Sequence, residues 1–294
     1  MKKVMITGAS GQLGLALYRL LHDNAAYELL RTNAFASEDS AVTALDITEE
    51  AAVKEYIQAH KPDIILNCAA MTAVDLCESE QEMAYRINAL GPKYLAMEAE
   101  QIGAKLVHVS TDYVYDGLGK EPYTEEAAPN PLSVYGKTKL AGDEFVQASC
   151  EKYFILRTAW VYGEGKNFVK TMLRLAENNN KIRVVADQYG TPTSALELAR
   201  VIVYLMNTES YGIYHATGEG SASWYEFAKT IFEEAGKTVE VEAIPTSEYK
   251  VAATRPMYSV LDNKALRERH GYSMKEWRVA LQEYMQELLA DQNT

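Results

Sequence analysis

Short apolar runs alternate with helical patterns through the first half of the chain. A helix is predicted over residues 13–22, and the apolar runs predict strands at residues 4–6, 27–32, 42–45, 64–70, 105–110, 153–161 and 212–216. Continuous apolar strands separated by helices are typical of a parallel sheet that is covered on both faces. The pattern therefore predicts an α/β protein with a Rossmann-type, doubly wound parallel sheet.

The pattern changes after Gly163. Helices are predicted over residues 167–178, 224–235 and 274–289, with a strand at 239–244 and a loop around Arg255. We interpret these segments as a smaller α/β substrate lobe. The predicted boundaries are 1–163 and 191–218 for the dinucleotide-binding Rossmann domain, and 164–190 and 219–294 for the substrate lobe.

A glycine-rich loop follows the first predicted strand and opens the first predicted helix. Gly8, Gly11 and Gly14 supply its spacing. Glycines let the backbone approach a pyrophosphate, and the N-terminus of the helix offers free N–H groups and a positive dipole end. We therefore expect a dinucleotide site formed by Gly8, Ser10, Gly11, Gln12, Leu13 and Gly14.

The end of the second predicted strand bears on the choice of cofactor. It carries Arg31 and Asn33 but no carboxylate, which favours NADP(H), with Arg31 as the partner of the 2′-phosphate. A surface charge is an equally good interpretation of Arg31. Asp46 and Ile47 are further candidates for contact with the cofactor, and so are Cys68, Ala69 and Ala70. A helix N-cap explains Asp46 equally well. Tight helix packing explains the three small residues equally well.

Tyr135 and Lys139 are four residues apart, so on a helix they share one face. A nearby cation is expected to lower the pKa of the phenol from its usual value of about 10. Thr111 follows the predicted strand at 105–110, where a hydroxyl can stabilise a developing alkoxide. Together with the glycine loop, these residues indicate reduction of a carbonyl by a nicotinamide cofactor.

Composition narrows the setting of this chemistry. The chain has 294 residues, of which 48% are hydrophobic and 24% charged, as expected for one large or two moderate globular domains. Its net charge of -12 argues against nucleic acid as a partner. No apolar stretch approaches the roughly 18 residues of a membrane span. Three cysteines without a paired spacing predict neither a disulfide framework nor a zinc site, so we expect a cytoplasmic protein.

Several strings resemble a known family. Residues 67–70 and 110–113, with Tyr135 and Lys139, resemble the extended short-chain dehydrogenase/reductase superfamily. Residues 72–75, 134–142, 157–162 and 187–193 are similar to the dTDP-4-dehydrorhamnose reductase family, and the resemblance runs from Val4 to about Trp277.

The resemblance implies reduction of the 4-keto group of dTDP-6-deoxy-L-lyxo-4-hexulose by NADPH, with NADH possible. This is the last step of dTDP-rhamnose synthesis for polysaccharides. It also implies that Tyr135 donates the proton, that Lys139 holds the nicotinamide ribose and tunes Tyr135, and that Thr111 binds the reacting oxygen. The implied substrate residues are Thr72, Val74, Asp112, Tyr113 and Trp160 around the sugar and Arg255 near the diphosphate.

Three departures from the family pattern bear on these expectations. Met71 replaces a polar or aromatic residue, and Asn33 stands where relatives have an acid. Ala16 and Leu196 stand where some relatives hold magnesium with glutamates, so we predict no metal site and a monomer or weak homodimer. The alternatives are a reductase of another nucleotide-linked 4-keto-sugar and a non-catalytic NADP-binding regulatory subunit.

Overall fold

The computed structural model describes residues 1–291, and a seven-stranded parallel sheet lies at its centre. Its strands, in spatial order, are β11 (Gly212–His215), β6 (Tyr153–Thr158), β5 (Lys105–Thr111), β4 (Ile64–Asn67), β1 (Lys2–Thr7), β2 (Tyr27–Asn33) and β3 (Val42–Ala44). Each neighbouring pair in this sheet is parallel. The predicted doubly wound parallel sheet is confirmed.

Helices cover both faces of this sheet, and others lie outside it. The α-helices of the described residues are α1 (Gln12–Leu21), α2 (Glu50–His60), α3 (Val74–Ser79), α4 (Gln81–Tyr85), α5 (Gly91–Ile102), α6 (Val134–Ser149), α7 (Phe168–Leu175), α8 (Ala195–Leu205), α9 (Trp224–Glu234), α10 (Lys264–His270) and α11 (Trp277–Asp291). On one face, Leu17 of α1 and Leu198 of α8 pack in one apolar cluster with the sheet. On the other face, Val53, Leu95 and Val146 bring α2, α5 and α6 into a second cluster.

Short strands outside the main sheet support a third apolar cluster. β8 (Lys181–Val185) pairs in parallel with β13 (Glu240–Ile244), while β7 (Val161–Tyr162) pairs with β10 (Thr193–Ser194) and β9 (Tyr189–Gly190) with β12 (Ala222–Ser223). Val184, Phe227 and Trp277 belong to the cluster. By contrast, Ala265 and Leu266 of α10 pack with the main sheet. The domain boundaries stay a prediction.

Several predicted bounds were wrong. The strand predicted over residues 64–70 ends at Asn67, opposite Thr7, where the neighbouring β1 also ends. The strand predicted over 153–161 stops at Thr158, because Trp160 takes up left-handed backbone with φ of 47°. The helix predicted over 167–178 is shorter, and β8 was not predicted. No helix in the described part of the chain has the length and apolar character of a membrane span.

Two glycines let α6 lie very close to the backbone of neighbouring segments. A Cβ on Gly136 would lie 2.1 Å from the carbonyl oxygen of Tyr113, and one on Gly142 would lie 2.2 Å from the carbonyl oxygen of Asn88. Asn88 belongs to a π-helical turn, Arg86–Leu90, between α4 and α5. Contacts between backbone atoms cannot relax by a change of rotamer, so these glycines fix where α6 sits.

We expect Gly142→Ala to destabilise the protein, with a fall in the free energy of unfolding in urea. Helix propensity alone predicts the opposite sign, because alanine is about 1 kcal/mol better than glycine inside a helix. The sign of the change in the free energy of unfolding therefore shows whether the collision with Asn88 or the helix propensity of alanine dominates. A variant that is more stable than the unaltered protein would contradict the close approach of α6 to Asn88.

Candidate active site

A cleft of about 930 Å³ opens at the carboxyl ends of the central strands. The strand order reverses between β1 and β4, and ligands of open α/β sheets bind at such a switch point. Most of the predicted site residues line the cleft: Gly8, Ser10, Gly11, Gln12, Leu13, Gly14, Cys68, Ala70, Thr72, Val74, Thr111, Asp112, Tyr113, Tyr135, Lys139, Trp160 and Arg255. Ala69, Arg31, Asp46 and Ile47 do not line it.

The glycine loop at the floor of the cleft is packed too tightly for side chains. Gly8 has φ of +62°, and a Cβ there would lie 2.9 Å from the Cα of Ala69. A Cβ on Gly14 would lie 2.4 Å from the carbonyl oxygen of Gly8. No side chain caps the N-terminus of α1, where Gly11 is the N-cap residue. The first-turn N–H groups are thus available to an anion, and the loop fits a pyrophosphate.

At the end of β2, Asn33 contacts the glycine loop and Arg31 contacts side chains outside it. The backbone N–H of Ser10 donates a hydrogen bond to the side-chain oxygen of Asn33 at 3.2 Å. The Arg31 guanidinium lies over the ring of Tyr18 and pairs with Asp39 at 2.9 Å. Its side chain is 11% exposed, so Arg31 is not a freely solvated surface charge.

Asp46 and Ile47 have local partners outside the cleft. A carboxylate oxygen of Asp46 accepts a hydrogen bond from the backbone N–H of Thr48 at 2.9 Å, which is an Asx turn. Ile47 is buried, and its side chain would meet a Cβ placed on Gly91. The predicted contact of these two residues with adenine stays a prediction.

Tyr135 and Lys139 project from the first half of α6 into the cleft. Ser133 caps the helix, because its hydroxyl accepts a hydrogen bond from the N–H of Gly136 at 3.1 Å. Both Tyr135 and Lys139 are buried and line the same cleft, as their spacing predicted. A cation and a phenol thus share one pocket with the glycine loop.

The expected lowering of the pKa of Tyr135 was wrong for this structure. Burial raises the pKa of the phenol well above its usual value, and the opposing effect of Thr111 is smaller. Lys139 is instead directed to other groups: its Nζ donates to the carbonyl oxygen of Val109 at 2.7 Å. Burial penalises a phenolate more than neighbouring groups stabilise it, so Tyr135 is a protonated acid at neutral pH.

Burial lowers the pKa of Lys139, whereas it raises the pKa of Tyr135. Desolvation lowers the pKa of its ammonium to about 8, and Asp143 acts in the other direction. At neutral pH the lysine is therefore mostly charged, but it titrates within the range of ordinary assays.

Thr111 is the last residue of β5 and caps a 3₁₀ turn, Asp112–Val114, that packs against α6. The Thr111 hydroxyl donates a hydrogen bond to Asp112 at 3.0 Å and accepts one from the N–H of Tyr113 at 3.3 Å. Burial raises the pKa of Asp112 to about 6, and hydrogen bonds from Ser259 and Thr111 partly oppose it. One of its oxygens has no hydrogen-bond partner in the described part of the chain.

The outer wall of the cleft contains an ion pair between residues that are far apart in the chain. The Arg255 guanidinium contacts Asp75 at 2.5 Å and the hydroxyl of Tyr113 at 3.4 Å. The backbone N–H of Ala253 donates to the same carboxylate at 2.9 Å. The ring of Tyr113 meets that of Tyr135 edge-on, with centroids 5.4 Å apart. Arg255 therefore lies near Tyr135, the predicted general acid, but its positive charge is already paired with Asp75.

Sequence reasoning missed part of the cleft, notably its aromatic end. Trp224 stacks on Trp160 with ring centroids 3.5 Å apart, and Gly190 leaves room for the Trp160 ring. Further lining residues that were not predicted include Ser110, Thr158, Lys166, Phe168, Gln188, Leu198 and Tyr249. Gln188 could have been predicted, because it lies in a string that carries the family resemblance. The contact between the two tryptophans could not, because they are 64 positions apart in the chain.

The arrangement suits a nicotinamide dinucleotide and a carbonyl substrate. The glycine cradle fits a pyrophosphate. Asp112 lines the same cleft as Tyr135 and has one oxygen without a hydrogen-bond partner in the described part of the chain. Among residues 1–291 no three His, Cys, Asp or Glu side chains form a cluster that could hold a metal ion.

Comparison with known proteins agrees with this geometry. A family model described as the RmlD substrate binding domain matches residues 1–290. The spore coat polysaccharide biosynthesis protein SpsK of Bacillus subtilis is 43% identical, with 98% of each chain covered. A dTDP-4-dehydrorhamnose reductase of Aggregatibacter actinomycetemcomitans is 43% identical over 96% of this chain and 97% of its own.

A solved structure is also closely similar. The dTDP-4-dehydrorhamnose reductase of Bacillus anthracis in complex with NADP superposes with a TM-score of 0.91 and 41% identity, over 97% of this chain and 99% of that one.

The buried carboxyl of Asp112 leads to a prediction about pH and stability. Its pKa in the folded protein, about 6, is above the value of about 3.9 in an unfolded chain. The free energy of unfolding therefore decreases as the pH rises from about 4 to about 6, because the buried carboxyl must lose its proton. Asp112→Asn has no carboxyl at this position and does not lose this stability. From pH 4.5 to 7.5, the stability of Asp112→Asn relative to the unaltered protein should increase by roughly 1–3 kcal/mol in denaturant titrations.

Asp116→Asn is the control for this experiment. A hydrogen bond from the N–H of Leu118 lowers the pKa of Asp116, so its relative stability should change in the opposite direction, at lower pH. A relative stability of Asp112→Asn that does not change with pH would contradict a buried carboxyl with a raised pKa.

Proposed function

The chain belongs to the RmlD substrate binding domain family, and from that membership we propose that it reduces dTDP-6-deoxy-L-lyxo-4-hexulose at its 4-keto group to dTDP-L-rhamnose, using NADPH. The observation that carries the proposal is the cleft itself. It brings Thr111, Tyr135 and Lys139 together with the glycine loop. This reaction is the last step in the synthesis of dTDP-rhamnose, a precursor for polysaccharides.

The N-terminus of α1 and the glycine loop would hold the diphosphate of NADPH, and Lys139 would hold its nicotinamide ribose. When bound, the cofactor would supply a hydride to C4 of the sugar. The Thr111 hydroxyl, which donates to Asp112 in this structure, turns to donate its hydrogen bond to the carbonyl oxygen of the substrate. That oxygen gains negative charge as C4 is reduced, so a fixed donor is most valuable at that stage.

Tyr135 completes the reduction as the general acid. Its raised pKa keeps the phenol protonated at neutral pH, and it gives this proton to the C4 oxygen as the alkoxide forms. The resulting phenolate recovers a proton from water. In total the sugar gains a hydride at C4 and a proton at its oxygen, which makes a secondary alcohol.

The outer residues of the cleft bind the rest of the substrate. Thr72, Val74, Asp112, Tyr113 and Trp160 contact the sugar. Arg255 binds the diphosphate, and in doing so its guanidinium exchanges the carboxylate of Asp75 for phosphate oxygens.

The cellular setting is also a proposal. Cys68, Cys77 and Cys150 carry free thiols, which is usual in a reducing compartment such as the cytoplasm. A monomer or weak homodimer stays a prediction.

The proposed activity is tested by NADPH oxidation with dTDP-4-keto-6-deoxyglucose and a separate 3,5-epimerase. We expect NADPH consumption that requires the epimerase, with dTDP-rhamnose as the product. Tight binding of NADPH without consumption would refute this substrate and leave another keto-sugar or a regulatory role.

Tyr135→Phe should reduce turnover by roughly 100-fold or more, because the variant has no proton to donate. Binding of NADPH, followed by the fluorescence of the nicotinamide, should be nearly unchanged. Tyr204→Phe on the surface of α8 is the control and should turn over normally. Normal turnover in Tyr135→Phe would remove Tyr135 from the mechanism.

Arg31→Gln should weaken the binding of NADPH relative to NADH by roughly 10-fold, as expected for a lost hydrogen bond between charged groups. The two dissociation constants are measured by fluorescence titration. Asp39→Asn, which releases Arg31 from its ion pair, should shift the preference toward NADPH. An equal change for both cofactors in Arg31→Gln would exclude Arg31 as the partner of the 2′-phosphate.

A further inference from the structure

Three buried charged or polar side chains surround Lys139 without lining the cleft. Asp143 is one turn further along α6 and therefore on the same face as Lys139. His108 comes from β5 and Arg157 from β6. All four side chains are nearly inaccessible to solvent, with Arg157 the most exposed at 2%.

The contacts link these groups into one network. Asp143 accepts a hydrogen bond from the Nε of Arg157 at 3.2 Å, and its other oxygen lies 3.7 Å from the Nε2 of His108. The same His108 nitrogen is 3.4 Å from the Nζ of Lys139. Arg157 also donates to the hydroxyl of Tyr115 at 2.8 Å. Asp143 thus pairs directly with Arg157, and the Nε2 of His108 lies within 4 Å of both Asp143 and Lys139.

The titratable groups that face Lys139 come from each element packed against it. They are His108 of β5, Cys68 after β4, and Tyr135 and Asp143 of α6. Burial lowers the pKa of His108 and raises the pKa values of Cys68 and Tyr135, so these three side chains are uncharged at neutral pH.

Asp143 is the counter-charge in this group. Arg157 keeps its proton under all ordinary conditions, and a buried cation requires a paired anion. Burial raises the pKa of Asp143, but Arg157 and Lys139 both oppose this change. Asp143 therefore supplies the negative charge that Lys139 and Arg157 share.

Arg157 contacts only one side of the Asp143 carboxylate. One oxygen accepts the hydrogen bond from the Nε of Arg157, and the other lies 3.7 Å from the Nε2 of His108, the nitrogen that also faces the Nζ of Lys139. The carboxylate therefore extends toward Lys139 as well as toward β6, so a tie between α6 and β6 does not account for the whole arrangement.

We propose that Asp143 is a positioning residue for the reduction, which holds Lys139 as an ammonium at neutral pH, and that Arg157 limits this effect by sharing the carboxylate. The inference rests on the proposed function, in which charged Lys139 holds the nicotinamide ribose beside Tyr135. Activity should then fall as the pH rises through the range in which Lys139 loses its proton.

Substitution of the two partners should move the titration of Lys139 in opposite directions. Asp143→Asn removes a nearby negative charge, so the midpoint should fall by about 1 pH unit. Arg157→Gln removes a competing positive charge, so the midpoint should rise. The exposed neighbour Glu144 provides the control, because Glu144→Gln removes a charge from the same helix and should leave the midpoint unchanged.

The midpoint is measured without cofactor, from the NMR shifts of the Lys139 ε-methylene in protein labelled with ¹³C-lysine. Lys139→Met assigns the resonance. In parallel, the high-pH limb of kcat/KM should move to lower pH in Asp143→Asn and to higher pH in Arg157→Gln.

Opposite shifts in the two variants support the proposal, and no shift, or shifts in the same direction, overturn it. If neither single variant folds, the proposal is tested in the double variant Asp143→Asn with Arg157→Gln. Its midpoint should fall, because Asp143 affects Lys139 more than Arg157 does, and an unchanged midpoint overturns the proposal. Opposite NMR shifts in a protein that does not reduce the keto-sugar would refute the proposed substrate but support the coupling of Asp143 to Lys139.

Discussion

The close approach of α6 to the backbone of its neighbours is the contact on which the site depends. Gly136 and Gly142 allow it, because a Cβ on either would collide with a carbonyl oxygen of another segment. The helix in turn carries Tyr135, Lys139 and Asp143 on one face, toward the end of the sheet. The distance from acid to glycine loop is therefore fixed by backbone packing and not by flexible side chains.

Burial then determines the chemistry of each group. It keeps the Tyr135 phenol protonated, brings the pKa of Lys139 to about 8 and raises that of Asp112 to about 6. Each shift reflects the same penalty for a charge away from water. A buried carboxyl with an unpaired oxygen weakens folding, and its position beside the reacting groups indicates that function, not stability, accounts for it.

Sequence alone predicted the parallel sheet, the glycine loop and the shared face of Tyr135 and Lys139, since each depends on local periodicity or spacing. It did not predict the Trp160–Trp224 stack or the pairing of β8 with β13, which join distant parts of the chain. The direction of the pKa shift of Tyr135 was wrong, because spacing shows which charge is near but not how much water the fold removes. The pairing of Arg31 with Asp39 was also not predicted, because the sequence does not show how the segment between β2 and β3 folds against β2.

The most direct test of the site is the fate of a deuterium atom carried by NADPH at the transferable position of its nicotinamide. The labelled cofactor is supplied with the keto-sugar, the epimerase and the protein, and the product is examined by NMR. We expect dTDP-L-rhamnose with deuterium at C4. A product without deuterium at C4, or no reduced sugar, would contradict hydride delivery to the carbonyl beside Thr111 and Tyr135.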